Sequence, residues 1–229
     1  MKKLTAASAV GIAAIALSLR LAGCSSDTET EATTSPETAT TTTTTEAPTT
    51  SAQASGPAYT IVDYIKDNNI VETPVHRGDP GTPTVNLPFP PGWEDAGPRT
   101  PQWAWGAMVF TDPAAAKDPP TIIALMSKLT GNVDPAKILE FAPGELKNLP
   151  GYEGEGNGKA SSLGGFDAWQ MGGSYMKDGT KRMIAQKTVV IPGQNGLYVL
   201  QLNADGVEDQ IGPLMDATAA IDEQTTITP

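Results

Sequence analysis

The chain has 229 residues, with 15 Lys+Arg against 26 Asp+Glu and a formal net charge of −11. Its single Cys permits no intrachain disulfide and no Cys-rich zinc site, and its single His permits no His-based metal cluster. The acidic balance argues against a protein that binds the phosphate backbone of nucleic acids.

Residues 1–23 have the composition of a lipoprotein signal peptide. Lys2 and Lys3 precede an apolar run that is too short and wrongly flanked for a membrane-spanning helix. The sequence Leu21-Ala22-Gly23-Cys24 follows and resembles the bacterial lipobox. The resemblance implies transfer of diacylglyceryl to the Cys24 thiol, cleavage before Cys24 and acylation of its new α-amine. Cys24 is therefore the predicted membrane anchor.

Residues 24–57 are predicted to be the lipidated Cys followed by a disordered tether. Beyond Cys24 the segment is rich in Thr, Ser and Pro, includes the run Thr40–Thr45, and contains no Leu, Ile, Val or aromatic residue. Such a segment buries too little apolar surface to offset the entropy of ordering. We therefore expect a single globular domain, over residues 58–229, at the end of this tether.

The first half of the domain predicts one helix followed by extended chain. Thr60, with Asp63 three residues later, is typical of a capping box at the start of a helix. Closely spaced prolines exclude both helix and central strand from residue 72 to residue 101, where short extended pieces are predicted over residues 71–76 and 84–87. Two-residue periodicity then predicts strands over 103–110 and 121–129, both apolar on both faces and therefore central or covered twice.

The second half predicts two helices around an antiparallel meander. Asp134-Pro135 is typical of a helix start, and Pro143-Gly144 is expected to kink or restart that helix. Three strands follow, over residues 166–176, 182–191 and 197–203, with Asp178-Gly179 and Asn195-Gly196 as the hairpin turns. The last helix, over 208–223, has a predicted inward face of Ile211, Leu214, Met215, Thr218 and Ile221. This order predicts an α+β fold, a mostly antiparallel sheet with helices on its faces.

No catalytic, cofactor-binding or metal-ligating residue is predicted. The chain lacks a phosphate-binding loop, a dinucleotide fingerprint, an H-E-x-x-H motif and EF-hand spacing. Ser174 lacks the second glycine of a nucleophile elbow, and the only candidate base, His76, lies in the proline-rich segment. The glycines of residues 154–158 lack the preceding strand and following helix of a cofactor loop, so they predict a wide turn.

Four tryptophans are the candidates for a ligand groove: Trp93, Trp103, Trp105 and Trp169. Trp93, Trp103 and Trp105 lie within thirteen positions of one another. Indole rings stack on sugars and line apolar pockets for acyl chains. The alternative is that these side chains pack within the core of the sheet.

Several segments carry a resemblance to a known family. They are Tyr59-Thr60-Ile61, Asp63-Tyr64-Ile65, Glu72-Thr73-Pro74-Val75-His76, Gly78-Asp79-Pro80, Asp134-Pro135-Ala136-Lys137, Phe141-Ala142-Pro143-Gly144-Glu145-Leu146-Lys147, Leu163-Gly164-Gly165-Phe166, Gln186-Lys187-Thr188-Val189-Val190-Ile191-Pro192 and Ile221-Asp222-Glu223-Gln224-Thr225-Thr226-Ile227-Thr228. Together with the lipobox and the Thr-rich tether, they resemble the mycobacterial LpqN/LpqT lipoprotein family.

The resemblance implies a PsbP-like α/β/α sandwich and a non-enzymatic lipoprotein held at the outer face of the cell membrane. It also implies the handling of mycolic-acid glycolipids of the trehalose mycolate type beside MmpL-type lipid transporters. We therefore expect a module that binds or escorts an acylated glycolipid. A protein-interaction module that docks a transporter without holding lipid is the alternative, and an enzyme with an unrecognised site is a third hypothesis.

Overall fold

The computed structural model describes residues 56–229, so the predicted signal peptide, Cys24 and nearly all of the tether lie outside the described residues. The described chain forms helices α1 (Ile61–Asp67), α2 (Pro135–Phe141), α3 (Pro143–Lys147) and α4 (Ile211–Gln224). Its strands are β1 (Val71–Pro74), β2 (Thr84–Asn86), β3 (Trp93–Asp95), β4 (Gly106–Phe110), β5 (Thr121–Thr130), β6 (Lys159–Leu163), β7 (Phe166–Lys177), β8 (Thr180–Gly193), β9 (Gly196–Val207) and β10 (Thr226–Thr228).

Eight of the strands form one antiparallel sheet with the order β3-β4-β5-β9-β8-β7-β6. Strand β1 is the eighth strand of this sheet. It pairs with β5 along the same edge of β5 that pairs with β4. Strand β4 pairs with residues 121–124 and β1 pairs with residues 127–130. Strands β2 and β10 form a separate two-stranded sheet. The predicted meander of β7, β8 and β9 is confirmed, although its second turn consists of Gln194 and Asn195, one residue earlier than predicted.

The helix starts follow the predicted capping chemistry. The Thr60 hydroxyl accepts a hydrogen bond from the Asp63 amide at 3.2 Å, and the Asp63 carboxylate accepts one from the Thr60 amide at 2.9 Å. The Asp134 carboxylate accepts from the Ala136 amide at 2.9 Å at the start of α2. Pro143 begins α3, so the predicted restart is confirmed.

Replacing Thr60 with alanine is expected to destabilise the domain by about 1 kcal/mol, because it leaves an α1 amide without its capping acceptor. Urea unfolding followed by circular dichroism measures the change. Thr60→Ser should retain most of the stability, and Thr73→Ala, at an exposed strand position, should cost less than about 0.5 kcal/mol. Equal losses for Thr60→Ala and Thr73→Ala would contradict a capping role.

The large sheet separates two cores, because neighbouring residues of a strand point to opposite faces. On one face, Leu200 and Ile191 pack with Leu214 of α4. On the other face, Val199 and Val190 belong to a second cluster, which includes residues of α1 and α2: Ile61, Tyr64 and Ile138. The predicted α+β arrangement, a mostly antiparallel sheet covered by helices, is confirmed, whereas the likeness to PsbP stays a prediction.

Three strands were not predicted, and one predicted strand starts later than expected. Strands β3, β6 and β10 are short, and β6 is largely polar, so none has the alternating apolar pattern of a strand. The strand predicted from residue 103 begins at Gly106, because Trp103 and Ala104 lie in the preceding turn.

The predicted inward face of the last helix is wrong at two positions. Met215 is 63% exposed and Ile211 is 43% exposed, whereas Leu214, Ala217 and Ile221 are buried. The buried residues are three and four positions apart, so they form the stripe of α4 that touches the sheet. Met215 and Ile211 lie beside that stripe, where α4 and the sheet stand apart.

Candidate binding site

A large cavity lies between α4 and the sheet. Its volume is about 1100 Å³, and most of its surface is apolar. From the sheet, Ile122, Met183, Ala185, Leu202 and Ala204 form its floor. Pockets that bind small ligands usually measure roughly 300–1000 Å³ and combine an apolar lining with a few polar groups. This cavity is therefore the candidate binding site.

The cavity exists because small residues meet in one row across the sheet. Strand pairing places Ile122 opposite Ala204, Ala204 opposite Ala185, and Ala185 opposite Gly172. Three of these four residues have one side-chain carbon or none, so the sheet leaves space beneath α4. A row four residues away on the same face has larger side chains and closes the core: Met126, Leu200, Val189 and Ala168.

A lysine that is 8% exposed lies in the lining of the cavity. The Lys187 ammonium donates to the Asp222 carboxylate of α4 at 2.6 Å, to the Ser161 hydroxyl at 3.0 Å and to the Ser162 carbonyl at 3.4 Å. These three acceptors match the three donors of an ammonium group. Lys187 thus links α4 to the sheet. Gln170, which lies opposite Lys187 on the neighbouring strand, adds a side-chain amide to the lining of the cavity.

The rim of the cavity joins an apolar side and an acidic side. Ile211 and Met215 form the apolar side on α4, whereas Glu153 and Glu155 belong to the loop before β6. This loop lies close to β7, since a Cβ atom built on Gly158 would stand 2.4 Å from the Gln170 carbonyl oxygen. The prediction of a wide turn at residues 154–158 is confirmed.

The cavity contains one hydroxyl that sequence analysis considered as a nucleophile. Ser174 lines it, but His76 does not. The His76 side chain is exposed, with Nδ1 3.7 Å from Asp79. A serine nucleophile needs an adjacent base, and the only histidine of the chain is not that base. The arrangement is suited to holding an amphiphilic molecule, with its apolar part on the floor and its polar part near Asp222 and Gln170.

The structure does not bring the four candidate tryptophans together, and none of them lines this cavity. Trp93 and Trp105 are buried in the core on the α4 face, where Trp93 packs on Phe110. Trp103 is 60% exposed in the turn before β4. Trp169 packs with the core on the other face, and its indole Nε1 donates to the Asn157 carbonyl at 2.7 Å.

A cluster on the face away from α4 clamps three strands to the loop before β5. The Arg182 guanidinium donates to Asp205 at 2.5 and 2.8 Å and to Asp118 at 2.6 Å. The Tyr175 hydroxyl donates to Asp205 at 2.6 Å. The pKa of Tyr175 is raised to about 12, chiefly because the side chain is partly buried and secondly because it donates a hydrogen bond to Asp205. Every member is paired within the cluster, so it stabilises the fold and offers no free group to a ligand.

Across residues 56–229, no three His, Cys, Asp or Glu side chains come together as a metal site would require. In the same residues, no helix combines the length and the hydrophobicity needed to cross a bilayer.

Comparison with known proteins agrees with the fold and with the predicted resemblance. A family model described as "Probable lipoprotein LpqN" matches residues 57–228. The chain belongs to the LpqN lipoprotein family. It is 62% identical over 177 residues to "Lipoprotein LpqN" of Mycobacterium tuberculosis (strain ATCC 25618 / H37Rv), a match that covers 77% of each chain.

A solved structure supports the same family assignment. The chain matches the crystal structure of LpqN "involved in cell envelope biogenesis of Mycobacterium tuberculosis" with a TM-score of 0.72 and 61% identity. The match covers 76% of this chain and 100% of that one. The resemblance to the LpqN/LpqT lipoprotein family is thereby confirmed.

Proposed function

We propose that the protein is a lipoprotein of the cell envelope, anchored through Cys24 at the outer face of the cell membrane, that binds an acylated glycolipid without altering it chemically. The observation that carries this proposal is the cavity of about 1100 Å³ between α4 and the sheet. Its apolar floor suits an acyl chain, and two of its polar groups, Asp222 and Gln170, suit the hydroxyl groups of a sugar.

The family supports the cellular part of the proposal. The Mycobacterium tuberculosis LpqN that this chain resembles is described as involved in cell envelope biogenesis, and its name is that of a lipoprotein rather than an enzyme. We extend that role to this chain. In this proposal, acyl chains on Cys24 hold the domain at the membrane, and the domain receives trehalose mycolate-type lipid from an MmpL-type transporter.

Binding should strengthen with the length of the acyl chain. The chain from residue 24 onward, carrying Cys24→Ser so that no lipid is attached, keeps every described residue. Calorimetric titration with octanoyl-trehalose and decanoyl-trehalose, both below their micelle concentrations, should show saturable binding. Each added methylene contributes about 0.8 kcal/mol when buried, so the two extra methylenes should tighten binding roughly fifteenfold.

Trehalose alone serves as the control and should bind far more weakly than either ester. Equal affinity for both esters would exclude burial of the acyl chain in the cavity. Absence of saturable binding would favour the alternative, a module that docks a protein partner without holding lipid.

A further inference from the structure

A second cavity lies on the other face of the sheet, beneath α1. Its volume is about 290 Å³, and aliphatic side chains from α1, β5 and β9 form most of its lining: Ile61, Val62, Ile65, Leu125, Leu129 and Val199. It shares no lining residue with the larger cavity. Leu125 and Val199 alternate with residues that face α4, so the sheet separates the two cavities.

A partly buried carboxylate of α3 faces this second cavity. One oxygen of Glu145, Oε2, accepts hydrogen bonds from Gln201 Nε2 at 2.9 Å and from Gln186 Nε2 at 3.1 Å. The pKa of Glu145 is raised above its ordinary value, chiefly by burial and also by the nearby carboxylate of Glu72. The hydrogen bonds from Gln201 and Gln186 lower it, but by less. Among residues 56–229, its hydrogen-bond donors are therefore two neutral amides and no cation.

The second acidic residue in the lining, Glu72 of β1, is exposed and also accepts a hydrogen bond from a neutral donor. The Ser127 hydroxyl donates to Glu72 Oε1 at 2.7 Å. Within residues 56–229, neither Glu72 nor Glu145 forms an ion pair. The charged groups lining the cavity are these two carboxylates. A cation placed between aliphatic walls would be attracted to them more strongly than it would be in bulk water.

We propose that this cavity binds a primary ammonium group carried on a short aliphatic chain. The ammonium has three donors and faces Glu145 and Glu72, while the aliphatic chain contacts Ile65, Leu125 and Leu129. A cavity of about 150 Å³ with similar walls binds benzene, so about 290 Å³ has room for a butylammonium ion. The proposal does not depend on glycolipid binding, because it concerns separate residues.

Titration of the Cys24→Ser chain with n-butylammonium chloride, followed by amide NMR shifts, tests this proposal. Saturable shifts are expected in α1 and at Leu125, Leu129 and Val199, with a dissociation constant in the millimolar range. The neutral analogue n-butanol should bind at least tenfold more weakly on the same chain. Equal binding of the two compounds, or no saturable shift at these positions, would overturn the proposal.

Two variants test the role of the carboxylate. Glu145→Gln should weaken n-butylammonium binding at least tenfold, whereas Glu223→Gln, the same change at an exposed position of α4, should leave it unchanged. Unaltered binding to Glu145→Gln would also overturn the proposal. If Glu145→Gln does not fold, Glu72→Gln takes its place, with a smaller expected loss because Glu72 is exposed.

A lysine derivative distinguishes the two sources of such a cation. N-acetyl-lysine methylamide carries the same ammonium on a four-carbon chain, as the side chain of a protein would present it. Binding as tight as that of n-butylammonium supports recognition of a lysine side chain. Binding of n-butylammonium alone supports a free amine as the ligand.

Discussion

Replacing Ala185 with phenylalanine is expected to weaken binding of an acylated trehalose about fiftyfold while the domain stays folded. The new ring would stand in the middle of the cavity floor and displace about three methylene groups of the acyl chain. At roughly 0.8 kcal/mol for each methylene, the loss is about 2.4 kcal/mol. Calorimetric titration with decanoyl-trehalose measures it.

The matched control is Ala219→Phe, which makes the same change on the exposed side of α4. This variant should bind decanoyl-trehalose as the unaltered chain does. Thermal unfolding of both variants shows whether each remains folded, and Ala185→Phe should lose little stability because its ring enters existing space. Undiminished binding by Ala185→Phe would place the ligand outside the cavity.

Replacing Arg182 with methionine is expected to destabilise the domain by about 3 kcal/mol. The Arg182 side chain is only 10% exposed and binds Asp205, which is 20% exposed. Removing one partner of a buried ion pair leaves the other charge uncompensated, and that charge, rather than the lost attraction, accounts for most of the cost. Urea unfolding at pH 7 measures the loss as a lower midpoint with an unchanged slope.

Asp118→Asn provides the comparison, because Asp118 is 51% exposed and solvent already screens its charge. Its loss should stay within about 1 kcal/mol. Arg182→Lys, which keeps the positive charge but not the forked geometry, should fall between the two other variants. Similar losses of stability for Arg182→Met and Asp118→Asn would show that Arg182 is not needed to compensate the charge of Asp205.

Local chemistry explains which parts of the fold could be predicted from the sequence. The capping box at Thr60, the restart at Pro143 and the turn at Asp178-Gly179 each depend on residues within a few positions. The Asp178 and Gly179 φ angles, 51° and 77°, are the left-handed values that this dipeptide accommodates. Strand β6 lacks an alternating apolar pattern because its sequence is polar, and its local signal is the Gly164-Gly165 turn, with φ angles of 56° and 88°, that pairs it with β7.

The candidate site depends on register, which local patterns do not give. Gly172, Ala185 and Ala204 lie in three different strands and are unremarkable within each of them. They form the cavity floor only because pairing places them in one row. The tryptophans, in contrast, were prominent in the sequence. Trp93 and Trp105 are nevertheless buried in the core on the α4 face and do not line the cavity.

The cavity also has an unusual position along the chain. Apart from Ile122, all its lining residues fall within residues 153–222. This stretch contains the β7–β8–β9 meander and then α4, so its contacts close short loops, whereas β5 pairs with β9 across a long intervening segment. Short loops cost less entropy to close and usually form earlier in folding. The binding surface is therefore encoded by one nearly contiguous stretch of the chain, and we expect this stretch to form early in folding.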